Sequence, residues 1–191
     1  EQLKPIKDEK VSRKLKEALA KYKTEVLPEY GGNKDERDFV IAHPGSKLTQ
    51  LPARDAVATG GLNRSNRFPN DSYFESWKSI DDRITWKAEA GESGVFEVEI
   101  FYATKLGGAK YRISFNGSEL DFVIPDAHNV PKLGAEEDRS PRNESYTKDW
   151  ARLKVGLIKL IKGEGELVLE ALKIPGNEAM EFRLLTLRRI E

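Results

Sequence analysis

The chain predicts a mainly β fold: an antiparallel β-sandwich of the jelly-roll kind, with one amphipathic helix ahead of it. Three observations carry this. Apolar residues recur every second position from about residue 81 onward. The alternating segments are short, seven or eight in number, and separated by Gly, Pro and Asn turn signals. Only near the N-terminus does the spacing change to three and four.

The elements follow in order. From Val11, apolar residues return at Leu15, Ala18, Leu19, Tyr22 and Val26, which lines one face of a helix. Asp8 is placed to cap it, and Pro28 with Gly31-Gly32 is placed to end it. The opposite face is rich in Lys and Glu and reads as solvated. Residues 33–80 are dense in Gly, Pro, Asn, Asp and Ser. A stretch this long inside a compact domain should be ordered by packing, with one or two short strands near Asp38–Ile41. The expected division is therefore a helix over 1–32, a loop-rich segment over 33–80 and a sandwich over 81–191.

Within the sandwich, Ile84, Trp86 and Ala88 alternate with Arg83, Thr85 and Lys87. Phe96, Val98, Ile100 and Tyr102 alternate with Glu97, Glu99 and Phe101. Tyr111, Ile113 and Phe115 run into Asn116-Gly117, a hairpin signal, and then Leu120, Phe122 and Ile124. Later strands are expected at Leu153–Leu160, Leu167–Leu172 and Met180–Leu187. Lys162-Gly163-Glu164-Gly165 and Pro175-Gly176-Asn177 read as the turns between them. The polar insert from Asp126 to Asp149, holding Pro131 and Pro141, should be a long excursion over one face.

Composition narrows function. Lys+Arg and Asp+Glu are balanced at 32 each, without the basic excess of a nucleic-acid binder. No apolar run approaches the ~20 residues that cross a bilayer. Neither nucleic acid nor membrane is expected as a partner. Cysteine is absent, which removes disulfides, thiolate nucleophiles and thiolate metal sites. The first residues, Glu1-Gln2-Leu3-Lys4-Pro5, show neither an initiator Met nor a signal peptide, as expected of a processed chain or an excised piece. His43 and His128 are separate loop residues without metal-ligand spacing. There is no G-x-S-x-G elbow, and Gly163-Glu164-Gly165 lies between strands, where it cannot cradle a phosphate. No catalytic constellation emerges.

Two stretches do concentrate side chains suited to a polar ligand. The first holds Arg54, Arg64, Arg67, Asn70, Tyr73 and Trp77; the second holds Arg139, Arg142, Lys148 and Trp150. Aromatic rings stack on the C–H faces of sugars while Arg and Asn bond hydroxyls. The planar fork of Arg meets an oxyanion bidentately, so Arg64, Arg67, Arg139 and Arg142 suit sulfated sugars. The competing reading is structural: Arg-Asp neighbours such as Arg54-Asp55 and Asp138-Arg139 pin long loops. Trp86 reads as core; Trp77 and Trp150 stay open between core and ligand.

These same stretches carry a resemblance. Leu51-Pro52-Ala53-Arg54-Asp55, Arg64-Ser65, Pro69-Asn70 with Ser72-Tyr73-Phe74 and Trp77, and Ile84-Thr85-Trp86-Lys87 resemble the C-terminal region of bacterial sulfatases of the arylsulfatase and N-acetylgalactosamine-6-sulfatase type. Gly94-Val95-Phe96-Glu97-Val98, Asp138-Arg139 with Arg142, Glu144-Ser145-Tyr146 with Lys148-Asp149-Trp150, and Gly156-Leu157-Ile158-Lys159-Leu160 add to it. The opening helix, with Tyr22 to Val26, resembles the end of a sulfatase catalytic domain. The resemblance implies a galactose-binding-like sandwich, as in carbohydrate-binding modules, appended to a periplasmic or secreted sulfatase. It brings no catalytic residue: the formylglycine motif is missing, and Ser140-Pro141-Arg142 lacks its spacing. No cofactor is implied, although such sandwiches often hold a structural calcium, for which no dedicated loop is present. The expected function is thus non-catalytic: binding or positioning carbohydrate, sulfated glycans included, for an upstream sulfatase domain. The alternative is a purely structural or dimerisation domain without a ligand.

Overall fold

A computed structural model describes residues 8–26 and 37–190. Two compact units are present, 1–37 and 38–191, and each is described by itself.

Among the described residues of the first unit, one helix, α1, spans Glu9–Val26. The Asp8 carboxylate accepts the backbone N–H groups of Lys10 and Val11 at 3.0 and 3.1 Å. It caps the helix, as its position before the apolar stripe predicts. None of the helix residues is buried. The expected stop at Pro28 and Gly31-Gly32 lies outside the described residues.

The second unit is a β-sandwich of twelve strands: β1 (Phe39–Ile41), β2 (Leu48–Pro52), β3 (Val57–Ala58), β4 (Asn63–Arg64), β5 (Phe74–Glu75), β6 (Arg83–Ala90), β7 (Gly94–Ala103), β8 (Ala109–Phe115), β9 (Ser118–Ile124), β10 (Ala151–Leu160), β11 (Gly163–Lys173) and β12 (Glu181–Arg189). One sheet runs β1-β6-β11-β8-β9, with β3 also on β6. The other runs β10-β7-β12-β5-β4, with β2 also on β12. Only β1 on β6 pairs in parallel among the described strands.

The period-two pattern places one side of each strand between the sheets. Ile84, Trp86, Tyr111, Ile113, Phe115, Leu167 and Leu169 come from the first sheet; Phe96, Val98, Ile100, Phe182, Leu185 and Leu187 come from the second. All are essentially fully buried. Each contributes about 1.5–3 kcal/mol of transfer free energy. Asn116 and Gly117 both take positive φ, 46° and 82°, so the Asn-Gly hairpin between β8 and β9 forms as expected.

Two differences from the sequence reading have physical causes. Residues 38–80 contribute five short strands, where one or two were expected near Asp38–Ile41. Two- to five-residue pieces between the turns find partners on β6 and β12, with β4 joining through β5, too short to show a period of their own. The second difference is Gly163-Glu164-Gly165, which belongs to β11 instead of a turn. Asn116 reaches across, its amide donating to the Glu164 carbonyl at 3.0 Å. A Cβ on Gly165 would lie 2.2 Å from the Asn116 Oδ1, so glycine here makes room for a neighbour.

The insert between β9 and β10 is held along its length. His128 exchanges backbone bonds with Thr104, Lys132 bridges Lys148, and the Ser145 hydroxyl meets that of Ser65 at 2.7 Å. The Asn66 side chain donates to the Asn143 carbonyl. Loop 126–150 is thereby tied to loop 65–73, which brings the two ligand-suited stretches together.

Candidate functional site

On β7 the inward residues are Phe96, Val98 and Ile100, so Glu97, Glu99 and Phe101 face outward. Phe101 stands across from Leu184 of β12, which stands across from Pro52 of β2. This row floors an open cleft of about 350 Å³ on the outer face of the second sheet, lined also by Gln50, Arg54, Asp71, Thr147, Trp150 and Arg183.

Each wall has a local origin. Arg54 stands on a single 3-10 turn, Ala53–Asp55, that follows β2. It pairs loosely with Asp55 at 3.7 Å and stays half exposed. Arg183 occurs where the β7–β12 register slips between Phe182 and Leu184; such a bulge re-aims a side chain. Its guanidinium donates to Asp71 at 2.8 Å and to the Ser72 carbonyl at 3.3 Å. Asp71 itself has a positive φ of 53°. Trp150 ends the long insert, half-buried, packed edge-on against Tyr73 with centroids 5.0 Å apart. Its indole Nε1 is buried and has no partner. At the cleft's edge the Arg152 guanidinium lies over the Phe101 ring, 5.1 Å from its centroid. The arrangement offers two aromatic groups together with amide, hydroxyl, carboxylate and guanidinium hydrogen-bonding groups. It offers no nucleophile–base pair.

The ten residues singled out by sequence are distributed unevenly. Arg54 and Trp150 line the cleft, and exposed Asn70 precedes Asp71 in its wall. Trp77 and Tyr73 are fully buried and have no surface to offer a ligand. Trp77 packs edge-on against Tyr111 at 5.5 Å and donates to the Ser79 carbonyl, which makes it core. Burial, reinforced by Glu181, Glu75 and Asp71, pushes the Tyr73 hydroxyl well above the ordinary tyrosine range, so it stays protonated. Lys148 is tied to Glu181 and lies over the Tyr73 ring.

Arg64 donates to the Ser72 hydroxyl and the Ala56 carbonyl, both at 3.2 Å, and lies over Phe74. Burial lowers its pKa, with Asp55 acting in opposition. It is a loop pin. Arg142 is another: it bonds Asp138 at 2.8 Å and covers Tyr146. Arg67 lies over its neighbour Phe68, and both Arg67 and Arg139 are exposed. Neither they nor Arg64 and Arg142 line the cleft.

Sequence reasoning missed Gln50, Phe101 and Arg183 as cleft residues; Asp71 and Thr147 lie within the two ligand-suited stretches without being among the ten. Phe101 alone left a readable signal, an aromatic on the solvent side of an alternating strand. Among the described residues, no three His, Asp or Glu side chains converge as a metal site requires.

No family model matches the chain, and no curated protein matches it. Its fold does have solved counterparts. A Podospora anserina GH26-CBM35 β-(1,4)-mannanase aligns with a TM-score of 0.54 and 14% identity over 76% of this chain, which spans only 28% of that one. A family 35 carbohydrate binding module from Clostridium thermocellum aligns at 0.52 and 16% identity, covering 74% of this chain and 98% of the module. A β-1,3-glucan binding CBM6 from Bacillus halodurans aligns at 0.52 and 12%, covering 79% and 99%. The fold that these structures share with the chain is a β-sandwich of two largely antiparallel sheets.

Proposed function

We propose that this chain is a non-catalytic carbohydrate-binding module whose ligand seat is the Trp150 cleft. The observation that carries this reading is the meeting of Trp150 and Phe101 with Gln50, Arg54, Asp71 and Arg183 around one open cleft. Aromatic faces supply apolar area to a sugar ring, and a few convergent polar groups supply orientation. The fold shared with modules named for mannanase and glucan-binding proteins supports it. The sulfatase-like motifs give the finer reading: an accessory of a periplasmic or secreted sulfatase that raises its effective concentration at a polymeric substrate.

Affinity electrophoresis of the 191-residue chain against neutral and acidic polysaccharides tests this. Retardation that Trp150→Ala abolishes, with cooperative unfolding preserved, is the expected result. No retardation by any glycan overturns it.

The alternative, a packing or dimerisation domain, draws on α1, whose Val11, Leu15, Leu19 and Tyr22 are 45–65% exposed. Light scattering that gives a dimer dispersed by Leu15→Glu with Leu19→Glu is the result that favours it.

A further inference from the structure

A second cleft lies beside the Trp150 cleft. On the same outer face a cleft of about 260 Å³ is lined by Glu97, Glu99, Arg152, Lys154, Thr186 and Arg188. The register makes the two neighbours. Glu99 lies two residues along β7 from Phe101, and its partner Thr186 faces Gln50, a lining residue of the first cleft. From Phe101 to Glu97 the strand advances about 13 Å, with Trp150 extending the trough beyond Phe101. That is longer than any monosaccharide.

The charges have a direction. Arg152 pairs with Glu99 and Lys154 with Glu97, each at 3.1 Å. In both pairs the cation stands out and the carboxylate is recessed: side-chain exposures are 63% against 17%, and 66% against 26%. Arg188 is exposed opposite Glu97 and forms no ion pair with a described residue. Along the two clefts, Arg54, Arg152, Lys154, Arg183 and Arg188 outnumber Asp71, Glu97 and Glu99. In the second cleft a ligand meets ammonium and guanidinium groups before it meets carboxylates; in the first, the Arg183–Asp71 pair has the opposite order, at 22% against 35% exposure.

We propose that the two clefts form one trough for an internal stretch of an anionic polysaccharide. Trp150 and Phe101 take a sugar face, while Arg152, Lys154 and Arg188 take the sulfate or carboxylate groups further along. This rests on the carbohydrate-binding reading and adds the polymer's charge, its length and three residues that receive it. Exposed cation–anion contacts weaken with salt, so binding of the acidic polymer is salt-sensitive.

The test uses the full chain with three probes, chondroitin sulfate, polygalacturonate and neutral laminarin, at low and physiological salt. It compares wild type, Trp150→Ala, and the double variant Lys154→Ala with Arg188→Ala. The expected result is that an acidic polymer binds more tightly than laminarin and more weakly as salt rises. The double variant loses roughly tenfold for it with laminarin unchanged, and a disaccharide of the same polymer binds much more weakly. Which acidic polymer is held distinguishes sulfate from carboxylate recognition. Equal binding by wild type and double variant overturns the trough while leaving the Trp150 seat standing, as does preference for laminarin. Binding of none of the three overturns both.

Discussion

Trp77 and Trp150 divide between them the two things a tryptophan does in this fold. Trp77 is enclosed, and its removal leaves a cavity in a packed interior. Trp77→Ala should cost about 3–5 kcal/mol of stability, read as a fall in the denaturation midpoint that accompanies any loss of binding. Trp150 is half-buried and holds Tyr73 edge-on, a contact worth about 0.5–1.5 kcal/mol. Trp150→Ala should lower the midpoint less and abolish glycan retention. Asp138 gives a pH prediction. Hydrogen bonds from Arg142 first and Tyr146 second hold its carboxyl below the usual aspartate range. A depressed folded pKa gives stability that is present above the ordinary value of about 3.9 and is lost as pH falls through the folded value. The ordering of residues 138–146 should therefore survive to below pH ~4, and a carboxyl titration by NMR should place the Asp138 midpoint below the ordinary aspartate value. In Asp138→Asn the backbone amides of residues 138–146 should be less protected than in the wild type at neutral pH, with the difference closing as pH falls through the folded value.

Turns and strands show what a one-dimensional pattern carries. Gly117 sits at φ 82° in the β8–β9 hairpin, a conformation that penalises a Cβ by about 1–2 kcal/mol. Gly117→Ala should destabilise the sandwich by that amount in urea titration. The long strands β6 to β9 were legible because alternation and turn chemistry agree there. Residues 38–80 and Gly163–Gly165 were not, since glycine and asparagine look alike in a turn and beside a crowded neighbour. The cleft was legible only by halves. Arg54 and Trp150 stand out by type, but Gln50, Phe101 and Arg183 meet through pairing of β2, β7 and β12. That register is written in the packing of the whole sheet and in no local run.

The last strand ties the sandwich to its beginning. β12 pairs with β2, β5 and β7, and Phe182, Leu185 and Leu187 are fully buried. Deleting residues 181–191 should abolish cooperative unfolding, as measured by circular dichroism. Pairings between residues near 50 and near 185 also make closure non-local, so folding belongs in the millisecond-to-second range of β-sandwiches.

The strand β10 lies at the margin of its sheet, where unpaired peptide groups invite a neighbouring molecule to add a strand. Its register slips between Lys154 and Gly156, and Gly156 has a φ of 140° with Leu120 packed where a Cβ would stand. A kinked, lysine-bearing margin is a poor template for edge-to-edge pairing. The bulge thus protects against aggregation, and the charges that would receive a glycan also keep a second copy from stacking on.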